Sequence, residues 1–257
     1  MRPLALAMRQ VHYENLSFWR NPPAAFFTIA FPLMFLVIFN LAFGTREMTL
    51  DGGTTTYSTF IIPAIVAFAE ISACYTNVAM RLTFDRERGI LKRIKGTPLP
   101  AWAFLLGKIG HAVLLGFLLV GVVVGAGAVV YRVGLPTTTL PALLVTLIVG
   151  AATFCALGAA TAAFVPNADA ASPIVNAIIL PLFFTSNVFI RLPSPPDWLA
   201  TVRDVFPVIH FFEALQTSFN PFVEGSGFEW GHLGVVALWG VGGAVVAARF
   251  FTWEPRR

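Results

Sequence analysis

Charged residues are scarce in this sequence: Asp, Glu, Lys and Arg make up 12% of its 257 residues, about half the roughly 25% usual in soluble domains. So few charges leave too little material for a watery surface on a chain that is 57% hydrophobic with a mean hydropathy of +0.76. The chain is therefore expected in a membrane. Cysteine is nearly missing as well. Cys74 and Cys155 both sit inside apolar runs with no ligand-like neighbours, so they read as packing residues rather than a disulfide or a metal site. The histidines, His12, His111, His210 and His232, lie on different segments without an H-E-x-x-H or Cys/His pattern, and no metal site is expected.

Other absences exclude chemistry. Gly107-Lys108 is followed by Ile109 and lacks the upstream glycine loop of a phosphate-binding motif, so no nucleotide site is expected in this chain. No serine has a G-x-S-x-G context, which leaves acyl chemistry without a visible nucleophile. Intramembrane charges that drive ion-coupled carriers come in partnered sets, whereas Glu70 is the one acid deep in an apolar run. There is no sign of the inverted repeat of secondary transporters either. A cleavable leader is not expected, because Arg2 and Arg9 flank too short an apolar stretch and no small-residue cleavage site follows.

What is present is six long runs almost free of charge, at about 24–43, 58–80, 108–130, 140–164, 172–190 and 231–250. A helix rising ~1.5 Å per residue needs ~20 apolar residues to cross a bilayer, and lipid offers nothing to unpaired backbone. The fold class is thus an all-α integral membrane protein, one transmembrane domain over 1–257. Residues 1–23 mix Leu4, Leu6, Met8, Val11, Leu16, Phe18 and Trp19 with Arg9, Gln10, Glu14 and Asn15. This reads as an amphipathic interfacial helix, which the "RNPP" at 20–23 turns into the bilayer, with a frayed tail as the alternative. The 191–230 connection opens on a Pro-rich turn and holds a short apolar helix, "PVIHFFEALQTSF", expected as a re-entrant segment.

Orientation follows from positive charge. With both termini cytoplasmic, only Arg46, Arg132, Arg191 and Arg203 of the 17 Lys and Arg lie outside. The charged stretch at 81–100 then becomes a cytoplasmic loop. Its residues Phe84, Leu91 and Ile94 have helix-like spacing, so it is either a projecting docking helix or a solvated loop that fixes topology. The excess of Arg over Lys, with abundant Ala, Gly and Val, hints at a GC-rich bacterial genome.

Three stretches then line up in order. "RERGILKRIKGTPLP" (86–100) resembles the signature of type-2 ATP-binding-cassette (ABC) exporter permeases. "ILPLFFTSNVFI" (179–190) is similar to their fifth-span motif. "PDWLATVRDVFPVIHFFEALQ" (196–216), with Trp198, Pro207 and Glu213, resembles the pattern before their last span. Asn187, Phe206 and Gln216 depart from that pattern, on the external half. The resemblance implies two permease copies, or two related subunits, bound to two cytosolic ATPase subunits that carry the ATP and Mg. It also implies a cytoplasmic helix that docks on the ATPase through Arg86, Glu87, Arg88, Gly89, Leu91, Lys92 and Arg93. Arg86, Glu87, Arg88, Lys92 and Arg93 would orient the dock; Gly89 would permit a sharp turn, and Pro98 with Pro100 would end the element. The implied substrate is hydrophobic or amphipathic: a drug-like compound, a lipid or a lipid-linked glycan. An intramembrane lipid-modifying enzyme and a channel or structural membrane protein are the alternatives.

Aromatic spacing suggests where such a path would run. Phe27, Phe31, Phe35, Phe39 and Phe43 recur every fourth residue, and each step advances ~40° around a helix. They form a spiral suited either to lipid and helix contact or, since the resemblance implies a path between protomers along the first, second and fifth spans, to the wall of that path, which Phe184 would join. Glu70 is costly in lipid and is expected to face protein or that path. Asn77, seven residues on and on the same helical face, is its expected polar companion.

Overall fold

The computed structural model describes residues 3–50, 52–97, 99–186 and 196–254; Pro98, Asn187 and the Pro-rich stretch at 191–195 lie outside the described residues. Helix α1 (Pro3–Trp19) leads into α2 (Pro22–Phe43). The "RNPP" junction works as a helix start: the Asn21 side chain accepts from the Ala24 amide, and proline in the first turn gives up only an amide that has no helical partner. A small antiparallel hairpin follows, β1 (Glu47–Leu50) with β2 (Gly53–Thr56), Leu50 opposite Gly53. Gly52 turns it at φ 98°, in the region that favours glycine. Four-residue strands are too short for alternation to announce them in the sequence.

Helix α3 (Tyr57–Ile71), a π turn (Ser72–Thr76) and α4 (Asn77–Glu87) then run as one continuous rod. After Gly89 come α5 (Ile90–Lys95), α6 (Ala101–Tyr131), α7 (Leu140–Phe164) and α8 (Ala168–Thr185). Two short helices, α9 (Asp197–Val205) and α10 (Pro207–Phe219), meet at Phe206 and precede α11 (Trp230–Phe250).

Six of these helical stretches are long and apolar enough to cross a membrane: Pro22–Phe43, Tyr57–Glu87, Trp102–Tyr131, Leu140–Phe164, Ala168–Thr185 and Trp230–Phe250. They match the six apolar runs, with shifted ends. The second continues to Glu87 instead of stopping near 80, and the third starts several residues before 108. Apolar length reports the thickness of the hydrocarbon, while a helix continues into polar sequence until a glycine or proline stops it.

The rod of α3 is the centre of the bundle, buried at every residue but Phe68. Helices α2, α8 and α11 are peripheral and leave broad apolar faces outward. Small residues set how closely α7 packs. Gly240 and Gly243 of α11 lie against Thr153 and Leu157, and the Thr153 hydroxyl donates to the Val236 carbonyl at 3.0 Å. Gly158 lies on the π turn, where an added Cβ would stand 2.6 Å from the Tyr75 carbonyl oxygen. Backbone contact of this kind is how helices associate where apolar burial gives no advantage over lipid.

Helix α1 packs along α6 through a mixed face, Ala7 and Phe18 buried on either side of Glu14. Glu14 is buried and meets Lys108 at 2.8 Å and Arg81 at 3.1 Å, while Lys108 also meets Asp85 at 2.5 Å. Met8, Tyr13, Leu16 and Trp19 are exposed. Burial works against the charge on Glu14. The field and hydrogen bond of Lys108, with Arg81 and Gln10, outweigh it and hold the carboxyl below its ordinary range. The network contains two acids and two bases, so it is neutral and ties α1, α4 and α6 together at one end of the bundle.

Candidate functional site

A groove of about 720 Å³ opens between α2, the α3–α4 rod and α8. Phe27, Phe31, Phe35 and Phe39 of α2 form one wall, Phe183 and Phe184 of α8 the other. Phe68 closes the floor, 5.4 Å from Phe35 and 5.2 Å from Phe183 between ring centroids. The rings of α2 interlock edge-on and stacked, Phe31 on Phe35 at 4.9 Å and Phe35 on Phe39 at 6.0 Å. Phe43 leaves the series. It packs on Tyr57 at 5.5 Å, under the Arg46 guanidinium. A four-residue step advances around the helix, so the fifth ring has rotated off the groove.

Polar atoms are few in the groove, and most gather where the π turn unwinds the rod: Ser72, Thr76 and Asn77, with Asn176 across on α8. The Thr28 hydroxyl is already bonded to the Ala24 carbonyl at 2.7 Å. The lining suits an apolar body carrying a small polar part.

Glu70 is not in this groove, nor paired with Asn77. Its side chain is fully buried beside Cys74 and Cys155, over Gly116, between α3, α6 and α7. Neither carboxyl oxygen has a hydrogen-bond partner among the described residues. The expectation that Glu70 faces protein rather than lipid agrees with this placement; the expected Asn77 companion does not. Seven residues of α-helix bring a side chain back to the same face, but the π turn between them makes wider turns and withholds about a quarter of a rotation. Asn77 therefore faces the groove and Glu70 the interior.

At the far end of the rod, the residues assigned to docking separate into two groups. Arg86 is 1% exposed and donates to the Ala162 carbonyl at 2.8 Å and to the Val165 carbonyl, where α7 ends. A cation there also meets the negative end of the helix dipole. Glu87 accepts from the Ala168 amide at the start of α8, the complementary end. Both therefore clamp α4 to the α7–α8 turn, and Arg86, which the resemblance implies would orient the dock, is buried away from any partner. Leu91 is fully buried and pins α5 to the bundle. Arg88, Lys92 and Arg93 are exposed cations, and Glu87 is exposed too despite its bond to the Ala168 amide. Gly89 adopts φ 69°, which gives the sharp turn between α4 and α5.

On the opposite side, Pro207 opens α10 as a buried N-terminal residue, Trp198 is 68% exposed on α9, and Glu213 is half-exposed. Helix α10 is wedged against α3, α7 and α11 by Phe211 on Phe154 at 5.3 Å and Phe212 on Phe60 at 5.9 Å. Its His210 approaches His232 of α11, Nδ1 to Nδ1 2.8 Å. Histidines on segments that look unrelated in the sequence are thus brought together.

Comparison with known proteins gives one family and several relatives. The inner membrane transport permease YadH of Escherichia coli K12 is 24% identical over 202 residues, covering 79% of this chain and 72% of that protein. A Porphyra purpurea protein named for a transport permease, ycf38, is 26% identical over 204 residues, covering 78% and 69%. The family profile described as ABC-2 type transporter matches residues 7–220, the stretch that holds α5, the aromatic groove and all of α10. The chain is a multi-pass membrane protein that belongs to the ABC-2 type transporter family.

Proposed function

We propose that this chain is the membrane-spanning subunit of an ATP-driven exporter, in which two copies, or this chain and a related one, pair with two cytosolic ATPase subunits. The observation that carries the reading is the joint presence of the aromatic groove and, at the end of the rod that lines it, a pinned helix with exposed cations. One element, α3–α4, touches both. The relatives' names support transport; in this reading ATP and Mg²⁺ belong to the partner, in keeping with a sequence that has no phosphate-loop pattern. Arg88, Lys92 and Arg93 supply the docking charge, and Leu91 holds the helix against the rod so that a push on α5 reaches α4. The substrate is a hydrophobic or amphipathic compound that moves along α2, the π turn and α8, with the second protomer closing the open side of the groove. Both termini are cytoplasmic, α1 lies at the inner interface with Met8, Leu16 and Trp19 toward lipid, α9–α10 forms a re-entrant pair outside, and the source is bacterial.

Searching the neighbouring genes for a Walker-motif ATPase, and co-expressing the one found with this chain, tests the reading. Reversing Arg88, Lys92 and Arg93 to Glu should abolish co-purification while the permease still inserts and melts as the unmodified chain does. Normal complex formation and transport in that variant would reduce α5 to a topology signal.

A further inference from the structure

His210, Glu213 and His232 take no part in the groove or in the cytoplasmic loop. Their placement nevertheless gives a converging set of lone pairs. His210 and Glu213 are three residues apart on α10 and share a face. The first turn of α11 brings His232 against them. The His210 and His232 Nδ1 atoms are 2.8 Å apart, and His232 Nε2 stands 3.5 Å from a Glu213 carboxylate oxygen.

The tautomer of His210 follows from its outer neighbour. Its Nε2 lies 2.8 Å from the Asp204 carbonyl oxygen, which can only accept, so Nε2 carries the hydrogen and Nδ1 presents a lone pair to His232. A neutral His232 that donates from Nδ1 would turn its Nε2 lone pair toward the Glu213 carboxylate, acceptor against acceptor. A metal ion on the two Nδ1 atoms removes that conflict by leaving the hydrogen on His232 Nε2, and a second proton on His232 is the metal-free way to remove it. A backbone carbonyl on the remote nitrogen is also the usual orienting partner of a metal-bound imidazole.

We propose that His210, Glu213 and His232 form a site for a borderline divalent metal ion, Zn²⁺ being the natural occupant, on the side of the protein opposite the docking loop. One ligand atom from each residue lies within 4.8 Å of the other two. Zn–N bonds of ~2.0–2.1 Å in a tetrahedral site set nitrogens roughly 3.3 Å apart. The Nδ1 atoms must therefore part by about half an ångström and the carboxylate swing inward, movements open to side chains that are 31% (His232) and 40% (Glu213) exposed. That exposure also leaves room for water as fourth ligand. Two imidazoles and one carboxylate select Zn²⁺-class metals over Mg²⁺ or Ca²⁺, which prefer all-oxygen shells. Bound metal would fasten α10 to the start of α11 and restrain the short helix against the last span.

The test uses the full chain in detergent, stripped with a chelator and titrated with ZnCl₂ against a chromophoric competitor, so it is independent of any ATPase. Stoichiometric Zn²⁺ and a raised melting temperature are expected. His232→Ala and Glu213→Gln should each weaken binding by more than the ~10–100-fold that loss of an outer-shell partner costs, and His12→Ala on α1 should leave it unchanged. Co²⁺ in the unmodified protein should give the visible spectrum of a tetrahedral nitrogen-ligated ion, which decides the matter even if His232→Ala misfolds. Substoichiometric Zn²⁺, binding indifferent to both substitutions, or displacement by millimolar Mg²⁺ or Ca²⁺ would overturn the assignment and leave a hydrogen-bonded imidazole pair beside Glu213.

Discussion

Arg86→Ala separates a clamp from a dock. In the native chain the guanidinium spans the Ala162 and Val165 carbonyls at the end of α7 while 1% exposed. Truncation removes two charge-assisted hydrogen bonds, each worth ~1.5–3 kcal/mol, and strands carbonyls that have no other turn of helix to bond. It also removes ~0.3–1 kcal/mol of favourable interaction with the helix dipole. Water entering at this end of the bundle recovers part of this, so the expected net loss is about 3 kcal/mol. For a chain of this length that lowers the melting temperature by on the order of 10 °C. Arg86→Lys should fall between, because an ammonium keeps the charge but cannot fork across both carbonyls. Melting followed by size-exclusion chromatography in detergent measures the first effect. ATPase co-purification, done well below the melting point, measures the second. Arg86→Ala should melt early yet still bind the ATPase, with Arg88→Ala doing the reverse. An Arg86→Ala protein that melts normally and fails to bind would show that the side chain leaves its pocket to dock.

The Glu14 network predicts a pH dependence. Because the folded carboxyl titrates below its unfolded value of ~4.3, its contribution is complete above that value and is lost as pH falls through the lower, folded one. Protease nicking near Arg20 should therefore stay slow down to the ordinary carboxylate range and accelerate below it. In Lys108→Met the acceleration should begin at higher pH, and coincident profiles would show that Lys108 does not hold Glu14. In the groove, Asn77→Leu should change which amphipathic compounds compete for binding, while Glu70→Gln, buried away from it, should leave that profile unchanged. A profile altered by Glu70→Gln alone would place the path on the other face of the rod.

The sequence by itself determined the class of this protein. The need for ~20 apolar residues per span, and the cost of charge in lipid, act segment by segment, so six spans and a charged loop can be read without any tertiary contact. The aromatic wall was legible for the same reason: Phe27 through Phe39 sit on one helix, whose periodicity is local. Chain-distant partners were not legible. Arg86 and Leu91 look like surface residues of a charged loop until the end of α7 and the body of the bundle are brought beside them, and Glu14 looks like the wet side of an interfacial helix until Lys108 arrives from 94 residues away. A single π turn rotated Asn77 away from Glu70, a phase change that no residue in "SACYT" announces. Which way each polar side chain faces was decided only by the tertiary structure. In lipid an apolar face gains nothing by turning inward, so the charges that find partners, Glu14, Lys108 and Arg86 among them, help set the orientation of the helices that carry them.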